Sequence, residues 1–238
     1  SRGGRCLNNC TKGGKYALHS ALQNVLAKAL NGQNLKAVIV EAHPYATEST
    51  RTDISISSAE KPGEILYYVD TTVTNTQQKR IPKLKKLTDA DNIVCCRDLL
   101  LNETVVNNHI FSATAKKLRK FKGCHDSACE NGRSPSSIVV PFAVDTLGNF
   151  CSVAVIFLKK LAKIKFEKIP GSTEFRDLTA STWVNTTCRD IQTAIIKTCA
   201  YNNRSALKLA FGEEYDKLYP GSIYSPPSYN ENFSSSEG

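Results

Sequence analysis

With 238 residues, 41% of them hydrophobic, the chain is long enough and apolar enough to bury one sizeable core, which excludes a wholly disordered polypeptide. No apolar run approaches the ~20 residues of a membrane span, so no membrane partner is expected. The net charge of +9 gathers in three Lys-rich runs, KRIPKLKK (79–86), KKLRKFK (116–122) and KKLAKIKFEK (159–168), which raise local anion concentration and suit phosphate backbones. Any one run alone reads better as a solvated helix face; three together favour nucleic acid. The chain has no methionine, which leads us to expect a piece of a longer protein.

In chain order, YALHSALQNVLAKAL (16–30) places Leu18, Leu22, Val25, Leu26 and Ala29 on one stripe, predicting an amphipathic helix that Asn31-Gly32 stops. LKAVIVEA (35–42) reads as a buried strand. DISIS (53–57) and ILYYVDTTVT (65–74) are β-rich runs joined by the Pro-Gly turn of EKPGE, a β-meander signature. Residues from about 75 to 103 are basic and less regular. TVVNNHIFSATAKKLRKF (104–121) predicts a second helix and SSIVVPFAV (136–144) another strand. FCSVAVIFLKKLAK (150–163) and 187–211 predict further helices, and the Pro/Ser-rich tail from Tyr219 reads as disordered. The expected order is α-β-β-β-α-β-α-α.

Side chains alternate along a strand, so Asp70, Thr72 and Thr74 share one face of 65–74 while Val69, Thr71 and Val73 share the other, with the valines facing the core. A partner strand would bring Asp53 beside Asp70. Two adjacent carboxylates repel unless a cation lies between them, and oxygen ligands of this kind suit Mg²⁺ or Mn²⁺. Taken by themselves, the two aspartates are explained better by a strand cap and a solvated strand residue.

The motif series resembles the restriction-like endonuclease domain, of the PD-(D/E)xK superfamily, found at the C-terminus of non-LTR retrotransposon reverse transcriptase polyproteins. ALHSALQNVLAKAL is similar to that family's histidine-led first helix, VIVEA to its glutamate-ending strand, and RTDISI to its Arg-Pro-Asp strand. YYVDTTVTNT is close to its aspartate strand and ATAKKLRKF resembles its lysine helix. IVVPFAVDTLGNF resembles the following strand and glycine turn, and RDIQTAIIKTCAYNNRSALKLA the terminal helix. The resemblance implies an α/β fold with a restriction-endonuclease-like α-β-β-β-α-β core, a mixed central sheet flanked by helices, and extra C-terminal helices. It assigns 15–211 to the nuclease domain, 1–14 to the remnant of a zinc-knuckle-like segment and 212–238 to the tail.

Carried over by residue, the resemblance makes Asp53 and Asp70 the metal-binding carboxylates and Lys117 the catalytic lysine. Glu41 would be an auxiliary ligand through water, Lys116 and Lys120 would be neighbours able to substitute for Lys117, and His19 would buttress the site or contact DNA. The position two residues after Asp70 is Thr72 rather than the superfamily's lysine, and Thr52 stands where a proline usually precedes the first aspartate. Lys79, Arg80, Lys83, Lys85, Lys86, Arg119 and Lys122 are the expected nucleic-acid contacts. The implied activity is Mg²⁺- or Mn²⁺-dependent nicking of chromosomal DNA in the nucleus, so that a 3′ end primes reverse transcription, with the element's own RNA a second partner. A catalytically inactive nuclease fold that binds nucleic acid, and a non-enzymatic interaction module, are the alternatives.

Cys6-x3-Cys10 resembles the end of a zinc knuckle. Zinc takes four ligands and this pair supplies two, so bound Zn²⁺ is not expected in this segment unless Cys124-His125-x3-Cys129 joins it. The tail contains Pro226-Pro227-Ser228-Tyr229, the pattern that WW domains read as a polyproline helix.

Overall fold

A computed structural model of the chain describes residues 12–32, 34–44, 51–61, 64–74, 110, 113–121 and 138–212. Its elements run α1 (Lys12–Leu30), β1 (Leu35–Ala42), β2 (Thr52–Ser58), β3 (Ile65–Thr74), α2 (113–121), β4 (Ile138–Asp145), α3 (Ser152–Phe166) and α4 (Thr173–Phe211). The four strands form one mixed sheet in the order β1-β2-β3-β4, with β1, β2 and β3 antiparallel and β4 parallel to β3. Helices flank this sheet. Among the described residues the expected α/β class and element order therefore hold.

Alternation decides which helix each strand residue meets. Ile54 and Ile56 on β2, Tyr67 and Val69 on β3, and Val140, Phe142 and Val144 on β4 join a core with Leu18, Leu22, Leu26 and Leu30 of α1 and with Phe157, Leu158 and Leu161 of α3. Ala143, of opposite parity on β4, packs instead with Ala115 and Leu118 of α2, together with Ile110, Cys151 and Val153. The sheet is thus covered on both faces, with α2 opposite α1.

Helix α4 buries Ala180, Val184, Thr187, Ile191, Ile195 and Thr198, a 3–4-residue stripe that packs against α1 and α3. It begins well before the expected 187. Ser172 caps it, its hydroxyl accepting from the Phe175 N–H at 3.2 Å, and no Gly or Pro interrupts it before Gly212. At the other end Gly212, with φ +55°, donates its N–H to the Lys208 carbonyl at 2.8 Å.

The junction between β4 and α3 is a tight turn. The Asp145 carboxylate accepts from the backbone N–H groups of Leu147 and Asn149, each at 2.8 Å, and from the Asn149 side chain. Gly148 turns the chain with φ +83°, where a Cβ would lie 2.9 Å from Gln192 Cγ. A residue without a side chain is required there for both reasons.

Candidate active site

The β2–β3 pairing ends, at the site, with Ile54 opposite Val69. Beyond it the Asp53 carboxylate replaces the strand partner: Oδ2 accepts the Thr71 backbone N–H at 2.6 Å and the Thr71 hydroxyl at 2.9 Å. Its Oδ1 lies 3.2 Å from Nε2 of His19 on α1. Gln23, one helical turn after His19, closes on the same ring nitrogen at 2.7 Å, and the Thr71 hydroxyl lies 3.3 Å from Nδ1. A single ring nitrogen does not both donate to Asp53 and accept from Gln23, so the tautomer sets whether His19 shares in holding Asp53 or leaves it to Thr71.

Asp70 precedes Thr71 on the same strand and has the opposite parity, which turns it towards α2. There Lys117 donates to both of its carboxylate oxygens, at 2.6 and 2.7 Å. Adjacent residues of β3 thus anchor two polar clusters, Thr71 with Asp53 and His19, and Asp70 with Lys117. The clusters sense each other electrically. Burial pushes the Asp70 carboxyl above the usual range; Lys117 opposes that, while the negative charge of Asp53 adds to it. Burial also pushes Asp53 up, but His19 and the Thr71 hydrogen bonds outweigh it and leave its carboxyl below the usual range.

The other expected site residues divide. Lys116, Arg119 and Lys120 are exposed on α2, and Lys120 adds positive charge near Asp70. Glu41 pairs with Arg51 at 2.9 Å, and both line a cleft that also reaches His19 and Asp53. Cys6, Cys10, Lys79, Arg80, Lys83, Lys85, Lys86, Lys122 and Pro226–Tyr229 lie outside the described residues. Among the described residues, no three His, Cys, Asp or Glu side chains are grouped as metal ligands.

The lysine run 159–168 serves largely internal contacts. Lys165 donates to the carbonyls of Ala29, Leu30 and Asn31 at 2.7–3.2 Å, holding the end of α1, and its ammonium lies 5.5 Å from the Trp183 ring centroid. Lys168 pairs with Glu60, and Lys160 lies over the Tyr67 ring.

Thr71 and Gln23 join the site without having been expected. Gln23 was findable as the i+4 neighbour of His19; Thr71 was hidden because it lies on the face opposite Asp70. Compared with protein-family models, with curated proteins and with solved structures, the chain shows no match to any of them.

Proposed function

We propose that the chain is a metal-dependent DNA endonuclease with a restriction-endonuclease-like core, nicking chromosomal DNA to prime insertion of a retrotransposon. One observation carries the reading: on neighbouring strands, Asp53 lies near enough for its charge to act on Asp70, and Lys117, from a helix distant in sequence, meets the Asp70 carboxylate. The donor set is two carboxylates with no sulfur. That chemistry fits a hard cation such as Mg²⁺ or Mn²⁺, which takes one or two protein carboxylates and fills its remaining positions with water and phosphate oxygens. When bound, such an ion would polarise the scissile phosphate and acidify a water.

The chain's own residues supply the rest. Thr71 fixes the direction of the Asp53 carboxylate, and with His19 beside it holds the carboxyl below the usual range. Lys117, its side chain 32% exposed while that of Asp70 is 5% exposed, is within reach of a phosphate brought up to Asp70 and would stabilise the charge developing on it. Exposed Lys116, Arg119 and Lys120 give the same helix an anion-attracting face.

A second reading is favoured by one feature: both oxygens of Asp70 are already taken by Lys117, as in a structural ion pair. On that reading the fold binds nucleic acid without cutting it. Supercoiled plasmid incubated with Mg²⁺ or Mn²⁺ separates the two. The nuclease nicks as wild type and loses nicking as Asp70→Ala; equal nicking by both, or by neither, sinks the enzyme reading. Binding that persists without nicking and weakens steeply with salt then selects the second.

A further inference from the structure

Beside the His19–Asp53 pair, a cleft of about 730 Å³ opens between the first turns of α1 and the ends of β1 and β2. That volume lies within the ~300–1,000 Å³ of ordinary small-ligand sites. Tyr16 lines it and is 71% exposed, and Ile39 and Val40 face it at 37% and 41% exposure. An aromatic ring and two aliphatic side chains left open to water in one concavity form a surface that gains by being covered with a flat apolar group. Lys15 and Arg51 stand at the same cleft, and Gln23 offers an amide within it. Two cations and an amide stand there beside two carboxylates, Glu41, which is paired to Arg51, and Asp53. Apolar side chains with Lys15 beside them match a nucleobase with its attached phosphate.

We infer that this cleft takes one unpaired nucleotide of the DNA substrate next to the cut, its base stacked on Tyr16 and its phosphate beside Lys15. The inference rests on the nuclease reading for the identity of its ligand. It adds a preference that the carboxylates do not dictate. A base within duplex DNA is already stacked on both sides and cannot reach the Tyr16 ring, so the cleft selects DNA that is frayed or single-stranded beside the scissile phosphate. Arg51, paired to Glu41 at 2.9 Å, is a second cation that the phosphate would draw away from that partner.

The test uses the full chain in EDTA, which prevents cutting, and a forked duplex with 2-aminopurine in its unpaired arm, against a fully paired duplex carrying the same base. The forked probe should be quenched on binding, and Tyr16→Ala should weaken its binding about tenfold, the size of one lost base–aromatic stack. Tyr16→Phe should restore it, while the affinity for the paired duplex stays unchanged in both variants. Equal weakening of both probes, no weakening of either, or tighter binding of a ribonucleotide arm would overturn the inference. Wild-type protein that nicks with Mg²⁺ but never quenches the probe would sink the cleft and leave the nuclease reading standing. Quenching by a protein that does not nick would support the cleft and remove the nuclease.

Discussion

Lys117 Nζ lies between the two carboxylate oxygens of Asp70, at 2.6 and 2.7 Å, although 47 residues separate them. The pair is asymmetric, with Asp70 sealed from water and Lys117 partly open to it. Removing the lysine therefore leaves a buried carboxylate unpaired. Lys117→Ala should cost about 2–3 kcal/mol, below the ~3–5 kcal/mol of a fully buried pair because water screens the ammonium. The double variant with Asp70→Asn should recover part of that loss. Urea unfolding of the two single variants and the double variant measures the coupling, and strict additivity would show that the pair does not interact.

The two aspartates should give opposite slopes of stability against pH. Burial holds the Asp70 proton more tightly in the folded chain than in the unfolded one, despite Lys117. The stability this gives is fully present below about pH 4 and is lost as pH rises through the raised value. For Asp53, burial is outweighed by His19 and Thr71. Its contribution is present above about pH 4 and lost as pH falls through the lowered value. In urea midpoints followed across pH, Asp70→Asn should remove the loss on the upper side and Asp53→Asn the loss on the lower side. Curves parallel to wild type would contradict both assignments.

Thr71 gives a test of orientation at nearly constant volume. Thr71→Val deletes the hydroxyl that donates to Asp53 at 2.9 Å but keeps the backbone N–H at 2.6 Å. The expected loss is about 1 kcal/mol. Nicking should fall more in Thr71→Val than in Thr71→Ser, which keeps the donor. Equal nicking by the two would show that the hydroxyl does not position Asp53.

Lys165 should matter to the fold rather than to DNA. It donates to three carbonyls at the end of α1, and burial lowers its pKa. Lys165→Met preserves the aliphatic stem and removes the donors, at an expected cost of about 2 kcal/mol. A melting temperature lower by about 4–8 °C would express that loss. The affinity for duplex DNA should be unchanged; a large drop would place this lysine on the binding face after all.

How much was legible in the sequence followed from the strength of local patterns. β1 and β3 fall at the expected 35–42 and 65–74 because apolar runs bounded by Asn-Gly and Pro-Gly turns leave little choice. β1 is not the buried strand expected, however: it is the edge of the sheet and exposes Val38, Ile39 and Val40. The first two turns of α4 carry Phe175 and Leu178 outward and bury nothing before Ala180, so their periodicity is faint; the stronger signal was Pro170-Gly171-Ser172, a break followed by a cap. In the site, Asp53 and Asp70 stood out by residue type and strand position. The partnership of Lys117 with Asp70 came from resemblance, since spacing cannot join residues so far apart. Lys165 shows the limit of counting charges: a lysine in a basic run and a lysine closing a helix look alike until the carbonyls are in place.

Where β2 stops pairing with β3, a side chain finishes the hydrogen bonding that a backbone carbonyl would otherwise complete. The Thr71 amide proton is therefore a built-in reporter. Whatever draws the Asp53 carboxylate towards a ligand must lengthen that hydrogen bond, so its ¹H,¹⁵N resonance should move, and its exchange with solvent quicken, when the site fills. A nuclear magnetic resonance titration can thus read occupancy at one backbone position without DNA or turnover.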